Sequence, residues 1–126
     1  MRYEIALETP ERDSALTDRQ AIDLLQAEFA LANNAARFDI LSGDDISFYV
    51  VSRSTPQEGV ARYDVELELR ERDPRLDDDG ALKLLRRAFQ NASNAAYFMR
   101  ACSDEIAVTL VARAPAADVA PSRLAA

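Results

Sequence analysis

The chain is one pattern written twice. Arg2-Tyr3-Glu4-Ile5-Ala6-Leu7-Glu8 returns as Arg62-Tyr63-Asp64-Val65-Glu66-Leu67-Glu68, and the same offset of 60 holds without a gap through Val51-Ser52-Arg53 and Val111-Ala112-Arg113. Of the 52 positions so paired, 22 are identical. Unrelated segments do not agree at that level, so both halves encode the same supersecondary unit. The chain is thereby confined to architectures assembled from two like units.

Each unit reads strand, loop, helix, loop, strand. In the opening strands Tyr3, Ile5 and Leu7, and Tyr63, Val65, Leu67 and Leu69, alternate with charged residues, which marks a sheet with one wet face. The closing strands, Ile46 to Arg53 and Ile106 to Arg113, are rich in β-branched and aromatic residues, with Ile46, Phe48, Val50, Ile106, Val108 and Leu110 as the inward set. Between them an apolar stripe at helical spacing runs through Ile22, Leu25, Phe29, Ala32 and Ala36, and through Leu82, Leu85, Phe89, Ala92 and Ala96 in the copy. Thr17 with Gln20 forms a capping box, and Asp77 takes the cap position in the second unit. From caps near 17 to an end near 38–41, the helix is expected to exceed 20 residues. The segment Ser54 to Gly59 has turn chemistry and joins the units.

Two βαβ units joined by a turn predict an α+β fold, a ferredoxin-like β-α-β-β-α-β sandwich from an internal duplication, with both helices on one sheet face. The alternative is a tautomerase-like duplicated βαβ in which the two strands of each unit are neighbours. Enzymes of that family use a proline exposed at the N-terminus, and residue 2 here is Arg2. The domain is expected to span 1–113, as repeats 2–53 and 62–113. The remainder, 114–126, has two prolines and no periodicity and reads as a flexible C-terminal tail.

Composition narrows function. A net charge of −7 repels phosphate backbones and disfavours nucleic-acid binding. No run of 18 apolar residues is present, so no membrane span is expected. One cysteine and no leader pattern point to the cytoplasm. The chain has no histidine, so Cys102 lacks the partner a Cys–His mechanism needs. No nucleotide loop, zinc spacing or triad occurs, and neither a cofactor nor a metal is expected.

Several recurring polar groups remain. Glu11-Arg12-Asp13 and Glu71-Arg72-Asp73 precede the helices and read as loop ion pairs. Asn34 and Asn94, poor interior helix residues, are expected to make a buried structural hydrogen bond. Asp44-Asp45 and Asp104-Glu105 read as turn acids, and Lys83 as a solvated surface residue. On the uncovered sheet face, Glu4, Glu8, Asp64, Glu66 and Glu68 crowd the central strands, while the edges are expected to add Tyr49, Val51, Arg53, Thr109, Val111 and Arg113. The candidate binding set is therefore Tyr49, Arg53, Glu66, Thr109 and Arg113. With no catalytic constellation, the leading expectation is a non-enzymatic oligomeric interaction or small-ligand-binding module, a homodimer or a complex with a protein partner. The alternatives are a small cofactor-free isomerase or oxygenase with a carboxylate, arginine and tyrosine site at a subunit interface, and an acidic protein inhibitor.

Overall fold

The elements run β1 (Arg2–Pro10), α1 (Asp18–Asn34), β2 (Ser47–Gln57), β3 (Val60–Glu68), α2 (Asp78–Asn94) and β4 (Ala107–Ala114). They come from a computed structural model that describes residues 1–11, 15–43, 45–98, 100–102 and 105–115. The expected roles of Arg12, Asp13, Asp44 and Asp104, and of the tail from 116 onward, lie outside those residues. The protein is α+β: one four-stranded antiparallel sheet in the order β2-β3-β1-β4, with two helices. β1 pairs with β3 and β4, and β2 with β3 alone, so the strands of each repeat are not neighbours as the tautomerase-like alternative requires. In the central pair, Ile5 faces its own repeat counterpart Val65, with Tyr3 opposite Leu67 and Leu7 opposite Tyr63.

Both helices bury against one sheet face. Ile5, Leu7, Val50, Val65, Leu67 and Val108 share a single hydrophobic cluster with Leu25, Phe29, Leu85 and Phe89. Phe48 is half-buried and stacks on Phe29 at 4.0 Å between ring centroids. The opposite face leaves Tyr49, Val51 and Val111 in solvent.

The helix starts follow local chemistry. Thr17 Oγ1 accepts from Gln20 N at 3.2 Å and Gln20 Oε1 accepts from Thr17 N at 3.0 Å, closing the capping box. In the second unit Asp77 Oδ1 accepts from Gly80 N at 2.7 Å. A Cβ on Gly80 would sit 3.0 Å from both Asp77 Oδ1 and Leu76 Cδ2, a tight contact that glycine avoids.

The helices end sooner than the apolar stripe suggests, at 17 residues each. Arg37 N bonds to Ala32 O and Ala36 N to Asn33 O, both at 3.0 Å, a Schellman turn that Tyr97 N and Ala96 N repeat on Ala92 O and Ser93 O. Ala36 and Ala96 take the left-handed conformation, at φ 62° and 66°. The reversal carries Phe38 and Phe98 back into the core, where Phe38 meets Phe29 at 4.6 Å and Phe98 meets Phe89 at 5.6 Å. The apolar periodicity thus continues past the helix because the chain returns to the same core. Ser54 to Gln57 likewise extend β2 where a linker was expected, leaving Glu58-Gly59 as the turn, with Gly59 at φ 78°.

Candidate functional site

The outward side chains of the central strands alternate as the sequence indicates: Arg2, Glu4, Ala6 and Glu8 on β1, and Arg62, Asp64, Glu66 and Glu68 on β3. Arg2 Nη2 donates to Glu66 Oε1 at 3.0 Å and lies 3.8 Å from Glu4. Arg62 binds Asp64 at 3.1 Å and approaches Glu8 at 3.8 Å, and Ser52 Oγ donates to Asp64 at 3.0 Å. These two arginines, themselves repeat partners, thread the carboxylates into two ion-pair chains. Near the middle, Glu4, Arg62, Asp64, Glu66, Val51 and Val111 line a shallow hollow.

The edge strands break the expected register. On β2, Val50 pairs with Val65 but Ser52 with Asp64, so Val51 has no partner. On β4, Ala112 pairs with Glu4 but Leu110 with Ile5, so Val111 has none. A bulge adds one residue, and one residue in a strand reverses every later side chain. Tyr49, opposite Glu66, and Thr109, opposite Ala6, remain on the open face, both exposed. Arg53 and Arg113, expected beside them, turn instead to the helix side, where their side chains are only 5% and 7% exposed. Of the five candidate residues, the open face therefore holds Tyr49, Glu66 and Thr109, and the two arginines lie across the sheet from them.

On the helix side each arginine meets the tyrosine of the other repeat. The Arg113 guanidinium lies 5.6 Å from the Tyr3 ring centroid, donates to the Tyr3 hydroxyl at 3.3 Å, and grips Glu71 through Nε and Nη2 at 2.9 and 2.8 Å. Its Nη1 reaches Asp78 at 3.0 Å and its Nη2 also reaches the Leu76 carbonyl at 2.9 Å, while the Tyr3 hydroxyl donates to Glu71. Arg53 makes the matching set: 5.6 Å to the Tyr63 centroid, and bonds to the Tyr63 hydroxyl, Asp18 and Glu11 at 3.3, 2.8 and 3.2 Å. The repeated Glu11 and Glu71 each hold a buried arginine from a distant strand.

Burial pushes the Tyr3 phenol well above its ordinary pKa, and the Glu71 bond adds to that against the opposing pull of Arg113. Burial works to lower the Arg113 guanidinium, but its bonds to Glu71, Tyr3 and Asp78 hold it above its usual value. Tyr63 is raised by burial against the opposing bond from Arg53. Cys102 is fully buried, and burial together with nearby Glu28 pushes its thiol up to about 12. Buried phenols and a thiol so raised stay protonated at neutral pH and supply no nucleophile.

The two units also differ. Glu28 is buried in α1 where α2 has Ala88, and its carboxylate accepts from Ala101 N at 2.6 Å and Arg100 N at 3.3 Å. The sequence signal was an acid three residues from Leu25 on the apolar face, with alanine in the copy. Gln26 Oε1 accepts from Val50 N at 3.1 Å, and Arg86 Nε donates to Val108 O at 3.1 Å, so helix side chains cover backbone groups of both edge strands. Asn34 and Asn94, expected in a buried hydrogen bond, are exposed at the helix ends, where Asn94 Oδ1 accepts from Gln90 at 2.8 Å. The reason is the Schellman turn, which ends the helix one residue later. Asp45, Lys83 and Glu105 are exposed. Among the described residues no three Cys, Asp or Glu side chains converge as a metal site, and no helix is long and apolar enough to cross a membrane. No family model matches the chain, and comparisons with curated proteins and with solved structures find no match.

Proposed function

We propose that this chain is a duplicated βαβ unit folded as a ferredoxin-like sandwich over residues 1–113, working as a non-enzymatic interaction module. Its working surface is the open sheet face, and the contact it makes is with further copies of itself. The observation that carries this reading is the exposure of Tyr49, Val51 and Val111 at 59%, 51% and 59% on a face no helix covers. Apolar side chains brought together on an uncovered sheet face favour association, since removing them from water is worth roughly 25 cal/mol per Å². Strand-to-strand addition is the less favourable route, because the bulges and the Gln26 and Arg86 contacts interrupt both edges. The enzymatic alternative, read on the open face, loses Arg53 and Arg113 from its set, because both lie on the helix side of the sheet, away from Tyr49, Glu66 and Thr109.

Light scattering at micromolar concentration tests the proposal. The expected mass is twice 14.0 kDa or more. Replacing Tyr49, Val51 and Val111 together by serine should weaken association at least tenfold while leaving the melting temperature within a few degrees, since these side chains touch solvent rather than the core. A triple variant that assembles like the wild type would remove the open face from the contact.

A further inference from the structure

The open face and the second helix carry opposite charge. Five carboxylates on the central strands, Glu4, Glu8, Asp64, Glu66 and Glu68, stand against Arg2 and Arg62, a surplus of three negative charges. On α2, beyond Asp78 and Asp79 in the first turn, the charged residues up to Asn94 are Lys83, Arg86 and Arg87. All three are exposed. Lys83 and Arg87 are four residues apart, with Arg86 three from Lys83, so they share one side of the helix. Arg86 is moored by its Nε to the Val108 carbonyl, which holds that guanidinium at the border of α2 and β4. The equivalent positions on α1 are Asp23, Gln26 and Ala27, so the basic strip belongs to one repeat only.

We infer that the contact between copies is heterologous: the acidic open sheet face of one copy seats the basic outer side of α2 of the next. This rests on the reading of the open face as a self-association surface and goes beyond it by naming which surface fills it. Stacking two open faces on each other would bring two like-charged surfaces together, each with three surplus negative charges, and repulsion would work against the apolar contacts. Seating α2 there opposes Lys83, Arg86 and Arg87, less Asp79 four residues before Lys83, to that surplus, two positive charges against three negative ones. Dimensions agree: 17 helical residues span about 25 Å, and nine-residue strands about 30 Å. Because the two patches lie on opposite sides of the molecule, the contact repeats from copy to copy and builds a ring or a filament rather than a closed face-to-face dimer.

Charge reversal with mixing tests this. Glu66→Lys with Glu68→Lys turns the face net positive; Lys83→Glu with Arg87→Glu turns the helix strip net negative and leaves the Arg86 mooring in place. Each doubly substituted chain, checked for an unchanged melting curve, should stay at 14.0 kDa alone, and an equimolar mixture should assemble again. Wild-type association should weaken on the order of tenfold or more as salt rises from about 0.05 M to about 0.5 M, because exposed charges then lie beyond the screening length. If Lys83→Glu, Arg87→Glu assembles like the wild type and salt strengthens association, the faces stack on each other; that overturns the heterologous contact and leaves the sheet-face reading standing. A wild-type mass of 14.0 kDa overturns both, and binding of a Lys- and Arg-rich helical peptide by that monomer would assign the face to a foreign cationic partner.

Discussion

Arg113 and Glu71 are 7% and 5% exposed and joined by two parallel bonds, so each neutralises a charge that water does not reach. Removing one member leaves the other buried and uncompensated, a loss of about 3–5 kcal/mol, while replacing both by apolar residues of similar volume costs far less. Arg113→Ala or Glu71→Ala should therefore lower unfolding free energy in urea by that amount, and Arg113→Met with Glu71→Leu should recover most of it. Arg53→Ala should cost less, because its acids Glu11 and Asp18 are 17% and 65% exposed and keep contact with water. Equal losses at Arg53 and Arg113 would contradict the difference in burial. The recurrence of Glu11, Glu71, Arg53 and Arg113 was legible in the sequence. Which glutamate holds which arginine was not, because partners 42 residues apart meet only through the fold.

At the scale of elements, both helices stop at a left-handed alanine. A Cβ in that conformation strains the backbone by roughly 1–2 kcal/mol, and glycine is the usual occupant of the position after the cap. Ala36→Gly and Ala96→Gly should each raise stability by about 0.5–1 kcal/mol, the relief being partly offset by the freer unfolded chain. The expected shift is a melting temperature roughly 2–5 °C higher per substitution, read by calorimetry. A fall at both sites would mean the alanine methyl groups make contacts worth more than the strain. Helix starts were visible from Thr17, Gln20 and Asp77 because caps act over three residues. Helix ends were not, since Phe38 and Phe98 keep the apolar spacing after the chain has turned back. The strand bulges at Val51 and Val111 left no local mark either, as both sit in runs that read as continuous strand.

Across the whole molecule, three buried acids of the neutral kind share one consequence. Tyr3, Tyr63 and Cys102 all have folded pKa values raised above their ordinary ones, so their contribution is intact below the unfolded pKa and is lost as pH rises above it. Stability should hold to about pH 8, where an unfolded thiol begins to ionise, and fall more steeply beyond about pH 9 as unfolded phenols ionise too. Cys102→Ser should delay the onset by about one pH unit while lowering stability at neutral pH. A melting temperature flat from pH 8 to pH 11 would be incompatible with these burials. Periodicity and caps are short-range signals, and the chain alone was enough to establish the duplicated pattern, the opening strands, the helix starts and most of the core. Strand order, the helix ends and the side of the sheet on which Arg53 and Arg113 fall were settled only by the assembled fold. An unpaired residue, Val51 in β2 and Val111 in β4, turns the arginine two positions later to the other face, and that residue is revealed only by pairing with the neighbouring strand.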